Sequence, residues 1–146
     1  MASLSQLETL IDLARRATDD AAKRLGAALK AAADGEQKLQ LLQGYRNDYA
    51  NRFDTSMAAG MTPMAYRNFQ AFMGKLDNAI SGQQEVLRHA QRRSEQEKAV
   101  WQASERKRMS YSTLESRAQQ EALRVEAKRD QKLMDEHAAR QAYYKR

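Results

Sequence analysis

The stretch "DTSMAAGMTP", residues 54–63, interrupts a sequence that otherwise consists mostly of helix-forming residues. Pro63 is the single proline of the chain, and Gly60 is one of its six glycines. Thr62 suits the position that caps a helix N-terminus, and a proline fits the first helical position because its missing amide hydrogen costs nothing there. The stretch therefore predicts a turn in which one helix ends and a second helix begins.

Apolar and small residues recur at alternating steps of three and four on both sides of this turn, which is the heptad pattern of a coiled coil. We predict a first helix over about residues 4–53, a loop over about 54–63 and a second helix over about 64–140. The first seam contains Leu4, Leu7, Ile11, Ala14, Thr18, Ala21, Leu25, Ala28, Ala32, Gly35, Leu39, Leu42, Arg46, Tyr49 and Phe53, and the second contains Tyr66, Phe69, Met73, Leu76, Ile80, Gln83, Leu87, Ala90, Ser94, Glu97, Trp101, Ser104, Arg108 and Tyr111.

Two helices joined by a short turn most simply fold back on each other. The sequence thus predicts an all-α fold, a long antiparallel two-helix coiled coil that forms one domain over residues 1–146. The register places Phe53 beside Tyr66 and Leu39 beside Ile80. Because helix two is longer than helix one, residues from about 115 onward overhang without an intramolecular partner, and we expect this overhang to be a docking segment.

Composition narrows the possible functions. The 146 residues include no cysteine, so disulfides and thiolate metal sites are excluded. No apolar run is long enough to cross a bilayer, and we expect a cytosolic protein. Residues 1–60 are electrically balanced, whereas residues 61–146 carry the whole net charge of +6. This asymmetry favours an acidic partner, a nucleic acid or an anionic surface, and its alternative is a solvated helix face.

The sequence contains no set of residues at the spacing of a catalytic, cofactor-binding or metal-binding site. We therefore expect a protein that is not an enzyme and needs no cofactor. His89 and His137 have no second ligand at metal-binding spacing. Gly26, Gly35 and Gly44 lie nine apart and favour close helix approach rather than a phosphate loop. The basic stretch "AQRRSEQEKAVWQASERKRMSY", residues 90–111, is interrupted by glutamates that would repel phosphate.

The stretch "LQLLQGYRNDYANRF", residues 39–53, carries more apolar side chains than a two-helix seam requires. Leu41, Tyr45 and Phe72 fall outside the seam. Two stripes at helical spacing result, one with Leu42, Tyr45 and Tyr49 and the other with Phe72, Leu76 and Ala79. In the proposed register the stripes are neighbours, which predicts a partner-binding surface. The alternative is a locally wide core in which the tyrosines flank the seam.

Several segments together resemble the FliJ family of flagellar export proteins, from Leu7 to about Arg140. They are "LETLIDLA" (7–14), "DDAAKRLG" (19–26), "YRNDYANRF" (45–53), "YRNFQAFMGKLDNAI" (66–80) and "RDQKLMDEHAAR" (129–140). The resemblance implies a hairpin similar to the central stalk of rotary ATPases. It also implies a cytoplasmic protein, peripherally associated with the inner membrane through the type III export apparatus.

The partners implied by the resemblance are the hexameric flagellar export ATPase and its regulator, the cytoplasmic part of the membrane export gate, and the chaperones of late export substrates. No nucleic-acid partner is implied. The gate-binding residues that the resemblance implies are Leu42, Tyr45, Tyr49, Phe72, Leu76, Ala79 and Gln83. The chain departs from the family pattern with Lys38 in place of a glutamine and Gln83 in place of a histidine. Two alternatives remain: the stalk protein of a virulence (injectisome) type III system, and a basic coiled-coil adaptor that binds nucleic acid.

Overall fold

The computed structural model describes residues 4–145, which form two long helices packed against each other. Helix α1 comprises Leu4–Ala59 and helix α2 comprises Pro63–Tyr144. The described residues contain no strand, and the second helix is the longer one, with 82 residues against 56. The prediction of an all-α helical hairpin with a longer second helix is confirmed.

The connection between the helices is shorter than the sequence indicated. It spans residues 60–62, because α1 continues past Phe53 through Ala58 and Ala59, which favour helix, and no breaker precedes Gly60. Gly60 has a φ of +95°, a conformation that residues with a Cβ rarely adopt, and its N–H donates to the carbonyl of Met57 at 3.2 Å. The glycine thereby closes the last turn of α1.

Thr62 starts the second helix in the way the sequence predicts. The amide of Ala65 donates to Thr62 Oγ1 at 3.1 Å, and the amide of Tyr66 donates to the Thr62 carbonyl at 3.0 Å. Pro63 is the first residue of α2. Cap and proline together satisfy or remove backbone donors that a helix N-terminus otherwise leaves without a partner.

The chain divides into two compact units, of which the loop unit comprises residues 20–102. Within it, the seam residues Ala21, Ala28, Gly35, Leu39 and Leu87 are buried. Small side chains on α1 allow α2 to come close. Phe53 lies beside Tyr66, with 5.8 Å between ring centroids, as the proposed register requires.

Gly35 is the closest point of helix contact among the glycines of the loop unit. A Cβ at this position would lie 3.5 Å from Leu87 Cδ1, and the side-chain amide of Gln83 donates to the Gly35 carbonyl at 3.1 Å. Gly26 and Gly44 would meet no neighbouring atom within 4 Å. The interpretation that the glycines allow close helix approach therefore holds for Gly35 and is wrong for the other two.

The terminal unit comprises residues 1–19 and 103–146, of which 4–19 and 103–145 are described. The α1 segment buries Leu7, Ile11, Ala14 and Thr18 at heptad spacing. On the α2 segment every third or fourth residue up to Ala118 is half-buried, and from Gln119 to Lys145 every residue is exposed. Packing between the helices of this unit thus ends near Ala118.

Thr18 is a weak point in the terminal unit. Its side chain is 5% exposed, and its hydroxyl makes no hydrogen bond with the described residues. A buried polar group without a partner costs about 1–3 kcal/mol, and valine has nearly the same shape without the hydroxyl. We expect Thr18→Val to raise the free energy of unfolding by about 1 kcal/mol in chemical denaturation.

Thr9→Val is the matched control for this prediction. Thr9 is exposed and its hydroxyl donates to the Ser5 carbonyl at 3.0 Å, so its replacement removes a satisfied group and brings no gain. A Thr18→Val protein no more stable than the unmodified chain would show that the hydroxyl costs nothing in its buried position.

Candidate protein-binding surface

An aromatic strip on the surface of the loop unit near the turn is formed by Tyr45 and Tyr49 of α1 and Phe72 of α2. Tyr45 is 53% exposed and Phe72 is 40% exposed. Leu41, one turn before Tyr45, is 54% exposed. These are the three side chains that the heptad pattern leaves outside the seam, and each of them faces solvent in the structure.

Tyr49 joins the strip to the seam between the helices. Its ring centroid lies 4.4 Å from that of Phe72 and 5.4 Å from that of Phe69. Phe69 in turn stacks on Phe53 at 3.9 Å. Ring pairs of this kind contribute about 0.5–1.5 kcal/mol beyond burial. Phe72 is therefore held in place by Tyr49 while a large part of its ring stays exposed.

The other predicted gate-binding residues occupy different environments. Leu42 and Leu76 are half-buried at the seam, and Ala79 is exposed on α2. Gln83 is half-buried and its amide is engaged by the Gly35 carbonyl. It lies eleven residues beyond Phe72, roughly 16 Å along the helix axis. The structure brings Tyr49 and Phe72 into contact and gives Gln83 a role in helix packing.

A cavity of about 380 Å³ continues the strip toward the turn. Both helices and the connection between them contribute to its walls, which are formed by Tyr49, Arg52, Phe53, Ser56, Met61, Ala65, Asn68 and Phe69. The sequence prediction missed Arg52 and Asn68. Helical spacing could have indicated them, since Arg52 lies two turns after Tyr45 and Asn68 one turn before Phe72.

The two flanks of the seam differ in charge near the strip. Arg46 Nε donates to Asp77 Oδ1 at 2.6 Å, and this hydrogen bond, together with the carboxylate charge, raises the pKa of Arg46 above its ordinary value. At 100° per residue, these two side chains point away from the flank of Tyr45 and Phe72. Arg52, on the strip's flank, makes no ion pair among the described residues.

The basic residues of α2 are partly neutralised by local partners. Arg88 pairs with Glu85, and Arg108 pairs with Glu105 at 2.9 Å in the terminal unit. In the loop unit, Glu97 lies 3.6 Å from Arg24 of α1. Glu97 and Glu105, two of the three glutamates that interrupt the basic stretch, thus bind cations of the same chain.

Other kinds of site find little support in the described part of the chain. Residues 4–145 contain no group of three His, Cys, Asp or Glu side chains placed to hold a metal ion. Neither described helix contains a segment apolar enough, over a sufficient length, to cross a membrane.

Fold and surface together define a helical-hairpin protein with an exposed aromatic strip near its turn. The family model described as "Flagellar FliJ protein" matches residues 3–146. The chain belongs to this family, whose members take part in flagellar protein export. It is similar to the Flagellar FliJ protein of Escherichia coli (strain K12) and to that of Salmonella typhi, each 33% identical over 145 residues that cover 99% of both chains.

Proposed function

We propose that this chain is a non-enzymatic, stalk-like coupling factor of the flagellar export ATPase ring. It also escorts the chaperones of late export substrates and contacts the cytoplasmic part of the membrane export gate. In this role it works at the cytoplasmic face of the inner membrane, held there through the export apparatus and the ATPase regulator. Membership of the FliJ family supports this proposal, because it restricts the setting to flagellar export.

The observation that carries the proposal is the exposure of Tyr45 and Phe72 beside Tyr49. Large aromatic side chains held in fixed positions on a surface are typical anchors of protein interfaces, because they bury much area with little loss of conformational freedom. We assign this strip to the export gate, with Leu42, Leu76, Ala79 and Gln83 at its margins.

A second feature supports the coupling role. Residues 119–144 of α2 are helical and exposed throughout, and they include Leu123, Met134, Tyr143 and Tyr144. A helix with exposed apolar side chains gains stability when a partner covers them. We assign this segment, together with the start of α1 in the same unit, to the ATPase ring, where its contacts bias nucleotide turnover among the subunits.

The gate assignment predicts a specific loss of binding. Tyr45→Ala with Phe72→Ala removes two rings that lie outside the seam, so helix content should be retained, and the melting temperature should fall only through the loss of the contact between Phe72 and Tyr49. Affinity for the purified cytoplasmic part of the export gate should fall at least about tenfold, because aromatic anchors carry much of the energy of an interface. Isothermal titration calorimetry measures the affinity, and circular dichroism measures the fold.

Leu29→Ala with Val100→Ala is the matched control, since both side chains are exposed apolar residues of the loop unit outside the strip. This protein should bind the gate like the unmodified chain. Equal gate affinity for the Tyr45→Ala/Phe72→Ala protein and the unmodified chain would show that the strip is not the gate-binding surface.

A further inference from the structure

We propose that the cavity next to the aromatic strip binds an acidic segment of the partner, which inserts one apolar side chain while Arg52 binds an adjacent carboxylate. The proposal rests on the proposed function, because it names the chemistry of the partner that the same surface takes. It adds Arg52, Asn68 and the walls of the cavity to a surface so far defined by its aromatic side chains.

The walls of the cavity suit an apolar side chain. The rings of Tyr49, Phe53 and Phe69 form its inner side, and Met61 and Ala65 close it toward the turn. These rings are fixed by their contacts with one another, with centroids 3.9 Å apart for Phe53 and Phe69. A volume of about 380 Å³ is large enough to admit an apolar side chain.

The rim of the cavity supplies polar groups from both helices. Arg52 stands on the α1 side and Asn68 on the α2 side, and both are exposed. A guanidinium group can bind a carboxylate through two parallel hydrogen bonds, and an amide can donate and accept at the same time. Asp48, one turn before Arg52, makes no ion pair with it. The guanidinium is therefore available to a carboxylate from outside.

Charge complementarity identifies the occupant. Lys38 lies two turns before Tyr45, on the same flank as Arg52, and Lys75 lies one turn after Phe72, between the strip and the outer face of α2. Neither lysine makes an ion pair among the described residues. A second copy of the chain would bring the same cations against them, whereas an acidic segment would neutralise them. The surface thus fits aromatic or aliphatic anchors flanked by Asp or Glu.

The test uses the full chain and the purified cytoplasmic part of the export gate. Arg52→Gln keeps a polar hydrogen-bonding side chain but removes the charge and the guanidinium fork. We expect its affinity to fall about tenfold at low salt, and the decline of affinity with added salt to become shallower than for the unmodified chain. Arg67→Gln is the control, since Arg67 is an exposed arginine on the outer face of α2, and it should bind normally.

A second pair of variants tests the cavity itself. Ala65→Leu places a larger apolar side chain in the cavity and should weaken gate binding, while the fold stays intact because Ala65 is exposed. Ala71→Leu makes the same change on the outer face of α2 and should leave gate binding unchanged. Circular dichroism and thermal melting of all variants verify that the helices are retained.

The outcomes separate this proposal from the one on which it rests. If Arg52→Gln and Ala65→Leu bind normally while Tyr45→Ala/Phe72→Ala fails, the cavity proposal is wrong and the gate assignment stands. If none of these proteins loses affinity, both are wrong. A glutamate at position 52 would repel an acidic partner, so loss of binding by Arg52→Glu alone does not support the carboxylate contact. If Arg52→Gln binds normally, the carboxylate contact is wrong even where Arg52→Glu fails to bind.

Discussion

Leu87→Ala is expected to lower the free energy of unfolding by about 2–4 kcal/mol, the largest loss of stability that we expect from a single substitution in this chain. Leu87 is 7% exposed and is the buried residue that α2 contributes to the loop unit. Its Cδ1 lies opposite Gly35, which has no side chain to fill the space left by a truncated leucine. The substitution should therefore leave a cavity as well as remove buried apolar area.

Val86→Ala is the control for this prediction. Val86 precedes Leu87 on the same helix and is 57% exposed, so its truncation should change stability by less than about 0.5 kcal/mol. Urea denaturation of the three proteins measures the difference. Equal midpoints for Leu87→Ala and the unmodified chain would mean that the contact between Leu87 and Gly35 contributes little to the packing of the helices.

The seam was predictable because heptad spacing responds to one requirement, the burial of a narrow stripe on each helix. Leu7, Ile11 and Leu39 are buried where the pattern placed them. The end of α1 was predicted less well. The seam stops at Phe53, but helix formation also depends on local propensity, so the helix continues to Ala59 until Gly60 ends it.

The candidate surface was predictable only in its apolar part. Tyr45 and Phe72 stand out in the sequence because a two-helix seam does not require them. Arg52 and Asn68 do not stand out, since polar residues are expected on an exposed helix face. Their significance depends on the contact of two helices that brings them to one cavity. Gln83 is the opposite case: the sequence indicates it as a gate-binding residue, but its hydrogen bond with Gly35 across the seam cannot be deduced from the sequence.

Removal of residues 119–146 is expected to abolish stimulation of the export ATPase while the rest of the chain stays folded. Every residue from Gln119 to Lys145 is exposed, so the deletion removes no buried residue of the described chain. This segment is held as a helix by local interactions such as the paired hydrogen bonds from Arg124 to Glu121, 2.8 and 3.2 Å long. They lower the pKa of Glu121. Local contacts of this kind contribute a few tenths of a kcal/mol each.

The exposed Leu123 and Met134 provide a finer test of the same assignment. Leu123→Gln with Met134→Gln keeps the helix but removes apolar contact area, and it should reduce ATPase stimulation severalfold. Gln120→Ala with Gln141→Ala changes two exposed polar residues of the same segment and should stimulate normally. Hydrolysis rates of the purified ATPase, measured with and without each protein, supply the comparison.

Because the aromatic strip belongs to the other unit, the chain that lacks residues 119–146 should still bind the gate. Full stimulation by a chain that lacks residues 119–146 would show that this segment is not the contact with the ring.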